Sequence, residues 1–456
     1  MATAITAALT SNPPRSNSHP CRRRRTTTSR SDNTVFTIIY QPFSGPAGPL
    51  LFTLMSSYKS ALDWLYSTQM FGIKLGLDGI TQLLRACGVL YPRARVIHVA
   101  GTNGKGSTCA FTESVARAAG YSTGLFTSPH LVRFNERIRV NGQEIPDPDA
   151  ARLILKVKEI IEPWETKPTF FELVLAVAMM YFAEQEVDLI VLETGMGGRL
   201  DATNAVPKDV AVLTPIGLDH TQYLGDTLYD IAAEKAAIFA WHRPALTAPQ
   251  EPEAIRAIHA AAQAMDTDYR VVSEECELPL GLHGSYQKRN AALSLAALRA
   301  LPHFLASEPE IAHGLATVQW PGRFEEIAPQ VLMDGAHNPP AIRVLVEAWQ
   351  ERFGRQKARC IYAGSADKAL DEVLQLLAPI VSEWVLPPVQ SPRILPPQEM
   401  AAKVRAASAA PICTPATLAE ALHPLPPHTL ICGSFFLLGE AKAHLHQEPD
   451  YRLTAQ

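Results

Sequence analysis

Gly101, Gly104 and Gly106 bracket a lysine, Lys105, in the run Val96-Ile-His-Val-Ala-Gly-Thr-Asn-Gly-Lys-Gly-Ser-Thr108. A β-branched apolar stretch passes into a glycine-rich turn and then into residues with helical pattern. Glycine lets the backbone turn tightly and come close to a ligand. The N–H groups so freed, with those of the helix start, form a nest for phosphate oxygens. Lys105 adds a mobile positive charge for β- and γ-phosphates. The strict Walker pattern is not met, since Val99 stands in place of its first glycine and Gly106 in place of its Ser/Thr. A plain strand-to-helix turn is the alternative. The order of strand, lysine and helix favours ATP, cradled by Thr102, Asn103, Gly104, Lys105, Gly106 and Ser107.

Acidic and basic groups that would serve such a site are spread along the chain. Magnesium takes oxygen ligands and keeps several waters, so its protein ligands are few. Glu193 ends the apolar run Val187–Glu193, where an open α/β sheet places acidic metal residues. His220 lies four residues past Ile216, and Ser128 sits in the turn Thr127-Ser-Pro-His130, with Ser107 as a rival oxygen. Each alone reads as a strand-end carboxylate, a loop histidine or a turn serine. Lys235, in Ala233-Glu-Lys-Ala-Ala237, has helical context with an apolar following face; a solvated lysine is its ordinary fate. Gly195–Asn204 is a glycine-rich loop directly after Glu193, and loops of this kind carry function.

The elements that must position these groups follow an alternation. Short apolar runs at 96–100, 187–193 and 210–216 are separated by amphipathic stretches such as 108–119 and 173–182. This is the mark of a mainly parallel sheet flanked by helices. The pattern breaks at Trp320-Pro-Gly-Arg323 and a second alternation begins, with strands expected at 331–336, 359–364, 384–389 and 429–435. Two α/β domains are expected, residues 56–320 and 325–456, around a cleft.

Composition narrows the class. The 456 residues carry a net charge of −4, 47% hydrophobic and 19% charged residues, so no basic field invites nucleic acid. No run of about 18 apolar residues speaks for a membrane span. The seven cysteines include no C-x-x-C pair, the usage of reduced intracellular thiols. Residues 1–54 differ from the rest: they hold Arg22-Arg-Arg-Arg25 and one acidic residue, Asp32. An organelle transit peptide has this composition. An upstream extension with a start at Met55 is the preferred reading, giving a disordered leader and a cytoplasmic enzyme.

The phosphate loop Ala100–Ser107 resembles that of the Mur ligase superfamily. Thr127–Ile138, Glu193–Asn204, Leu218–Thr221, Glu234–Phe239, Pro321–Phe324, Asp334–Pro339 and Cys432–Phe435 resemble, in order, its folylpolyglutamate synthase/dihydrofolate synthase branch. The likeness runs from about residue 56 to the C-terminus. It implies a P-loop-containing, Mur-ligase-like ATP-binding domain and a smaller Rossmann-like C-terminal glutamate-ligase domain. It also implies an ATP-dependent acid–amino-acid ligase. A carboxylate of dihydropteroate or a reduced folate would attack the γ-phosphate, and the amine of L-glutamate would then displace phosphate from the acyl phosphate.

By the same resemblance Ser128, Glu193 and His220 hold magnesium, and Lys235, carbamylated by CO₂, helps hold a second ion. Asn290, Arg323 and Asp334 match ATP positions, for adenine, phosphates and ribose respectively. Leu200, Asp201 and Ala202 fall near the pterin acid, and Phe170 or Phe171 is placed to stack on its ring, with a core role as the alternative. His337 and the turn Gly364-Ser-Ala-Asp-Lys368 face the cleft where glutamate would enter. Lys74 stands where some bifunctional members have aspartate, which weighs against bifunctionality. The expected partners are small molecules, with no nucleic acid or membrane, and the expected state is a monomer. Another Mur-type amino-acid ligase and a nucleotide-driven switch are the rival readings.

Overall fold

A computed structural model describes residues 49–71, 76–366 and 369–448. Expectations for residues 1–48, for Lys74 and for Asp367 and Lys368 lie outside the described residues. A helix runs Pro49–Ser67 and so crosses the leader boundary expected at residue 54.

The chain builds two α/β units. The first sheet holds β1 (Arg95–Ala100), β2 (Thr123–Phe126), β3 (Ile138–Val140), β4 (Gln143–Glu144), β5 (Leu189–Glu193), β6 (Val210–Leu213), β7 (Ala245–Thr247) and β8 (Tyr269–Val271), in the order β4-β3-β2-β5-β1-β6-β7-β8. Its pairs are parallel from β2 to β8, while β3 and β4 add antiparallel. The second sheet holds β9 (Glu325–Ala328), β10 (Val331–Asp334), β11 (Ala358–Tyr362), β12 (Val381–Val385), β13 (Ile412–Cys413) and β14 (Thr429–Cys432), ordered β13-β12-β11-β14-β10-β9. Only β9 pairs antiparallel among these.

Strands buried on both faces need apolar cover on both sides. The helix Lys105–Ala118 lies against one face of the first sheet, and everything from Gly106 to Ala116 is buried. It is enclosed by helices Tyr286–Ala300 and Glu308–Thr317. A Cβ on Gly314 would stand 2.6 Å from the Val115 Cα, so glycine permits that approach. On the other face the helix Phe170–Glu184 is apolar nearly all round, as a fully buried helix should be. Its start is fixed by a capping box: Thr169 Oγ1 accepts from Glu172 N at 3.4 Å, and the Glu172 carboxylate accepts from Thr169 N at 2.7 Å.

Several strands end sooner than expected, β6 at Leu213, β10 at Asp334 and β11 at Tyr362, and two further bounds shift for a local reason. The one placed at 384–389 is β12, ending at Val385, because Pro387 and Pro388 cannot donate to a ladder. The one placed at 429–435 stops at Cys432; Ser434 Oγ accepts from Leu437 N at 3.1 Å and starts the helix Phe435–His446.

Candidate active site

Three neighbouring strands, β5, β1 and β6, end side by side, with Val99 opposite Glu193 and Ala100 opposite Leu213. The chain leaves β1 toward β2 and leaves β5 toward β6, on opposite sides. A crevice therefore opens beyond their carboxyl ends, the usual ligand position in such sheets. Into it come the phosphate loop from β1, Glu193 from β5 and the segment 214–220 from β6.

The loop is shaped by its neighbours. At Gly101, φ is 148° and a Cβ would fall 1.9 Å from Thr214 Oγ1. Gly104, at φ 88°, is the residue before the helix, and its Cβ would meet Asn290 Oδ1 at 2.7 Å. The N–H groups of Thr102 and Asn103 both donate to Pro215 O, at 3.0 and 3.2 Å. Thr102 Oγ1 exchanges bonds with the backbone of Gly217 at 3.0 and 3.1 Å. Thr102 and Asn103 thus hold the loop in shape. The first turn from Gly104 to Ser107 keeps N–H groups without intrahelical partners, the donors an anion needs. Ser107 Oγ is buried and accepts from Gln287 Nε2 at 3.3 Å, and Gln287 Oε1 accepts from Asn290 Nδ2 at 2.9 Å.

Two lysines converge on one oxygen. Lys105 Nζ donates to Gly101 O at 3.2 Å and to Thr102 O at 3.1 Å, while Lys235 Nζ donates to the same Gly101 O at 2.9 Å. Lys235 is 4% exposed. Its pKa is lowered to about 7, by burial first and by the Lys105 charge second, against the pull of Asp219 and Asp201. The solvated-lysine alternative is therefore excluded.

Ser128 and Glu193 come together, with Ser128 N donating to Glu193 Oε2 at 3.1 Å. Burial raises the pKa of Glu193, while Lys105, the Ser128 N–H, Arg323 and Arg137 pull it down. His220 lies beside Asp219, its Nε2 3.9 Å from Asp219 Oδ1. Burial lowers its pKa, Asp219 opposes this, and the His337, Lys105 and Lys235 charges lower it further. Among the described residues no group of three His, Cys, Asp or Glu is assembled for a metal ion. Ser128 and Glu193 thus meet through a backbone N–H and line one cleft, and His220 feels the charges of Asp219 and Lys235 in a second group. A buried carboxylate whose charge is costly fits a cation in that place.

The second domain closes the crevice. Gly106, Ser128, Glu193, Trp320, Arg323 and Phe435 line one cleft between the domains. The Arg323 guanidinium stacks on Phe435, 4.8 Å from the ring centroid. Asp334 ends β10 and is buried; its oxygens accept from Phe324 N and Ala336 N, each at 2.8 Å, so it folds the junction around Arg323. His337 donates from Nδ1 to Gly335 O at 2.9 Å, and its Nε2 lies 4.0 Å from Asp219 Oδ2.

The residues expected near the acceptor are arranged less openly. Asp201 is buried and accepts from the N–H groups of Gly195, Met196 and Thr203 at 2.9, 3.0 and 3.0 Å, so it ties the glycine-rich loop into shape. Ala202 is buried and Leu200 half-buried beside it. Phe170 is turned into the core, with Arg137 5.6 Å over its ring and Tyr66 5.5 Å away. Phe171 is half-buried and meets the loop, since a Cβ on Gly195 would lie 2.9 Å from its Cζ.

Sequence reasoning missed several members. Trp320 crosses the first turn of the phosphate-loop helix, its Nε1 2.8 Å from where a Gly106 Cβ would be, with Arg139 5.3 Å over its ring. Its position just before Pro321-Gly-Arg323 was the available signal. Asp219 was passed over for its neighbour His220. Burial would raise its pKa, yet His337, His220, Lys105 and the Asn338 amide hold it below the usual carboxylate range.

The chain is similar to known proteins along most of its length. Residues 99–250 match the Mur ligase middle domain and residues 322–431 the Mur ligase glutamate ligase domain. The dihydrofolate synthase/folylpolyglutamate synthase of Bacillus subtilis is 37% identical over 366 residues, covering 72% of this chain and 84% of that protein. That of Escherichia coli is 36% identical over 358 residues, covering 74% and 83%.

The chain belongs to the dihydrofolate synthase/folylpolyglutamate synthase family.

Solved structures of the family superpose along most of its length. Mycobacterium tuberculosis folylpolyglutamate synthase complexed with ADP and AMPPCP gives a TM-score of 0.79 at 27% identity, covering 88% of this chain and all (100%) of that one. E. coli FolC in complex with DHPP and ADP gives 0.75 at 32% identity, covering 85% and 98%. A bifunctional folylpolyglutamate synthase/dihydrofolate synthase with Mn, AMPPNP and L-glutamate bound gives 0.75 at 30% identity, covering 85% and 98%. The fold is thus the two-domain α/β fold of this family.

Proposed function

We propose that this protein is an ATP-dependent ligase of folate metabolism that joins L-glutamate to dihydropteroate or a reduced folate through an acyl phosphate. The observation that carries the reading is the meeting of the phosphate loop, Glu193, Lys235 and the second domain's Arg323 around one crevice. Family relatives with this activity in their names, and solved relatives holding ADP, DHPP or L-glutamate, support it.

Phosphoryl transfer asks a protein for position and charge more than for covalent participation. The first-turn N–H groups from Gly104 to Ser107 would hold the β- and γ-phosphates, and Lys105 would swing from its carbonyl partners to their oxygens. Arg323 would clamp phosphates from the second domain. Asn290 and Asp334 would border adenine and ribose. Glu193 and Ser128 would hold one magnesium ion, and His220 with a carbamylated Lys235 a second. Bound there, magnesium neutralises phosphate charge that would otherwise repel the attacking carboxylate. Lys235 would first lose its ammonium proton; the neutral Nζ would then attack CO₂ and lose a second proton, so that a cation becomes an oxygen anion. His337 would face the incoming amine. Leu200, Asp201 and Ala202, with Phe171 beside them, would border the acceptor acid.

Among the described residues no helix is long and apolar enough to cross a membrane; a monomer in the cytoplasm is our reading. The direct experiment supplies Mg-ATP, L-glutamate and either dihydropteroate or tetrahydrofolate. ADP, phosphate and a glutamyl amide should form in equal amounts. ATP turnover without amide from either acceptor would sink the ligase reading, and the two acceptors together decide between one activity and two.

A further inference from the structure

Asn338 stands at the turn before the helix Pro339–Phe353 and is 4% exposed. Its Oδ1 accepts from Ala341 N at 3.0 Å, capping that helix, and from Asn103 Nδ2 at 3.1 Å. Its Nδ2 donates to Asn103 Oδ1 at 3.1 Å and to Asp219 Oδ2 at 3.0 Å. Two donors and two acceptor sites are all used, the full capacity of an amide. Asn103 belongs to the phosphate loop, yet its amide is engaged by the second domain. Asp219, on the loop after β6, is shared by Asn338 and by the neighbouring His337.

We propose that Asn103 and Asn338 are positioning residues, an interdomain latch that sets His337 and Asp219 in register with the phosphate loop for the amide-forming step. The inference rests on the ligase reading above. A paired amide suits this task because its two bonds are directional and fix orientation as well as distance. It is uncharged, so it does not compete with Lys105 for phosphate. Breaking it leaves buried donors and acceptors unmet, which makes the joined arrangement distinct from a loosely apposed one.

A bland role is open to Asn338, that of helix cap, and the test separates the two. Asn338→Ser keeps a capping oxygen but is too short to pair with Asn103. Asn103→Ala removes the other half. Each variant should lower kcat about 100-fold, the scale of an ångström of misplacement, and the melting temperature by a few degrees, because buried amide groups are left unmet, while ADP affinity by calorimetry stays near wild type in Asn338→Ser. The double variant should be no worse than Asn338→Ser, because both remove one interaction. Small-angle scattering with ADP should show a larger radius of gyration in both variants than in the wild type. Full turnover in Asn338→Ser, multiplicative losses, ADP binding that falls in step with turnover, or unchanged radii would each overturn the latch. A wild type that makes no amide while the variants still expand would remove the ligase reading and leave the latch standing.

Discussion

Lys105 and Lys235 share the Gly101 carbonyl, and their chemistries diverge from that point. Lys105 is the cation that phosphate needs most as charge develops on the transferred group. Lys105→Ala should lower turnover by about 10²–10³-fold with the far-UV circular dichroism unchanged; an unaltered rate would show the loop is not the phosphate site. Lys235, with its pKa lowered to about 7, presents neutral amine near physiological pH. Raising pH removes the proton and favours the carbamate, so activation by added bicarbonate should grow between about pH 6 and about pH 8. Lys235→Ala should lose most activity and regain part of it with added short carboxylic acids. Lys235→Arg should fail, because a permanent cation cannot become an oxygen ligand. Near-normal turnover of the arginine variant, or no response to CO₂ depletion, would refute the carbamate.

The elements around these residues constrain their backbone. Gly104 is held at φ 88° with Asn290 across from it. A side chain in that region costs about 1–2 kcal/mol, and here it also displaces Asn290. Gly104→Ala should therefore melt several degrees lower and bind ADP more weakly, by calorimetry; unchanged values for both would show that the loop tolerates a Cβ. Much of this was readable beforehand. Glycine spacing and a β-branched run are local signals, so β1, the loop and its helix were legible in the residues 96–108. Glu193 was legible as the polar end of an apolar strand. The short strands β2, β7 and β13 were not, since two to four residues carry too little periodicity. Nor was the pairing of Asn103 with Asn338, or the burial of Phe170 under Arg137, because these depend on segments brought together from afar. Family likeness supplied the roles proposed for Ser128, His220 and Asn290, whose residue types alone say little.

At the scale of the whole molecule, nucleotide and domain junction are one system. A ligand that binds only the folded protein stabilises it, by about 2.7 kcal/mol at a hundred times Kd. ADP should therefore raise the melting temperature, and Arg323→Ala should shrink that rise, because the arginine reaches the cleft from the second domain. An equal rise in the variant would place the nucleotide wholly on the first domain. The outer margins of both sheets bear on a different matter. β4 and β13 have two residues each, β8 has three and β9 four. An open strand edge is where a neighbouring chain adds and fibrillar growth begins. Margins this short offer a newcomer almost no ladder, so native molecules can crowd together without stitching edge to edge. Clumping on heating would then have to wait for strands such as β1 and β5 to be bared, and lost activity would track unfolding itself.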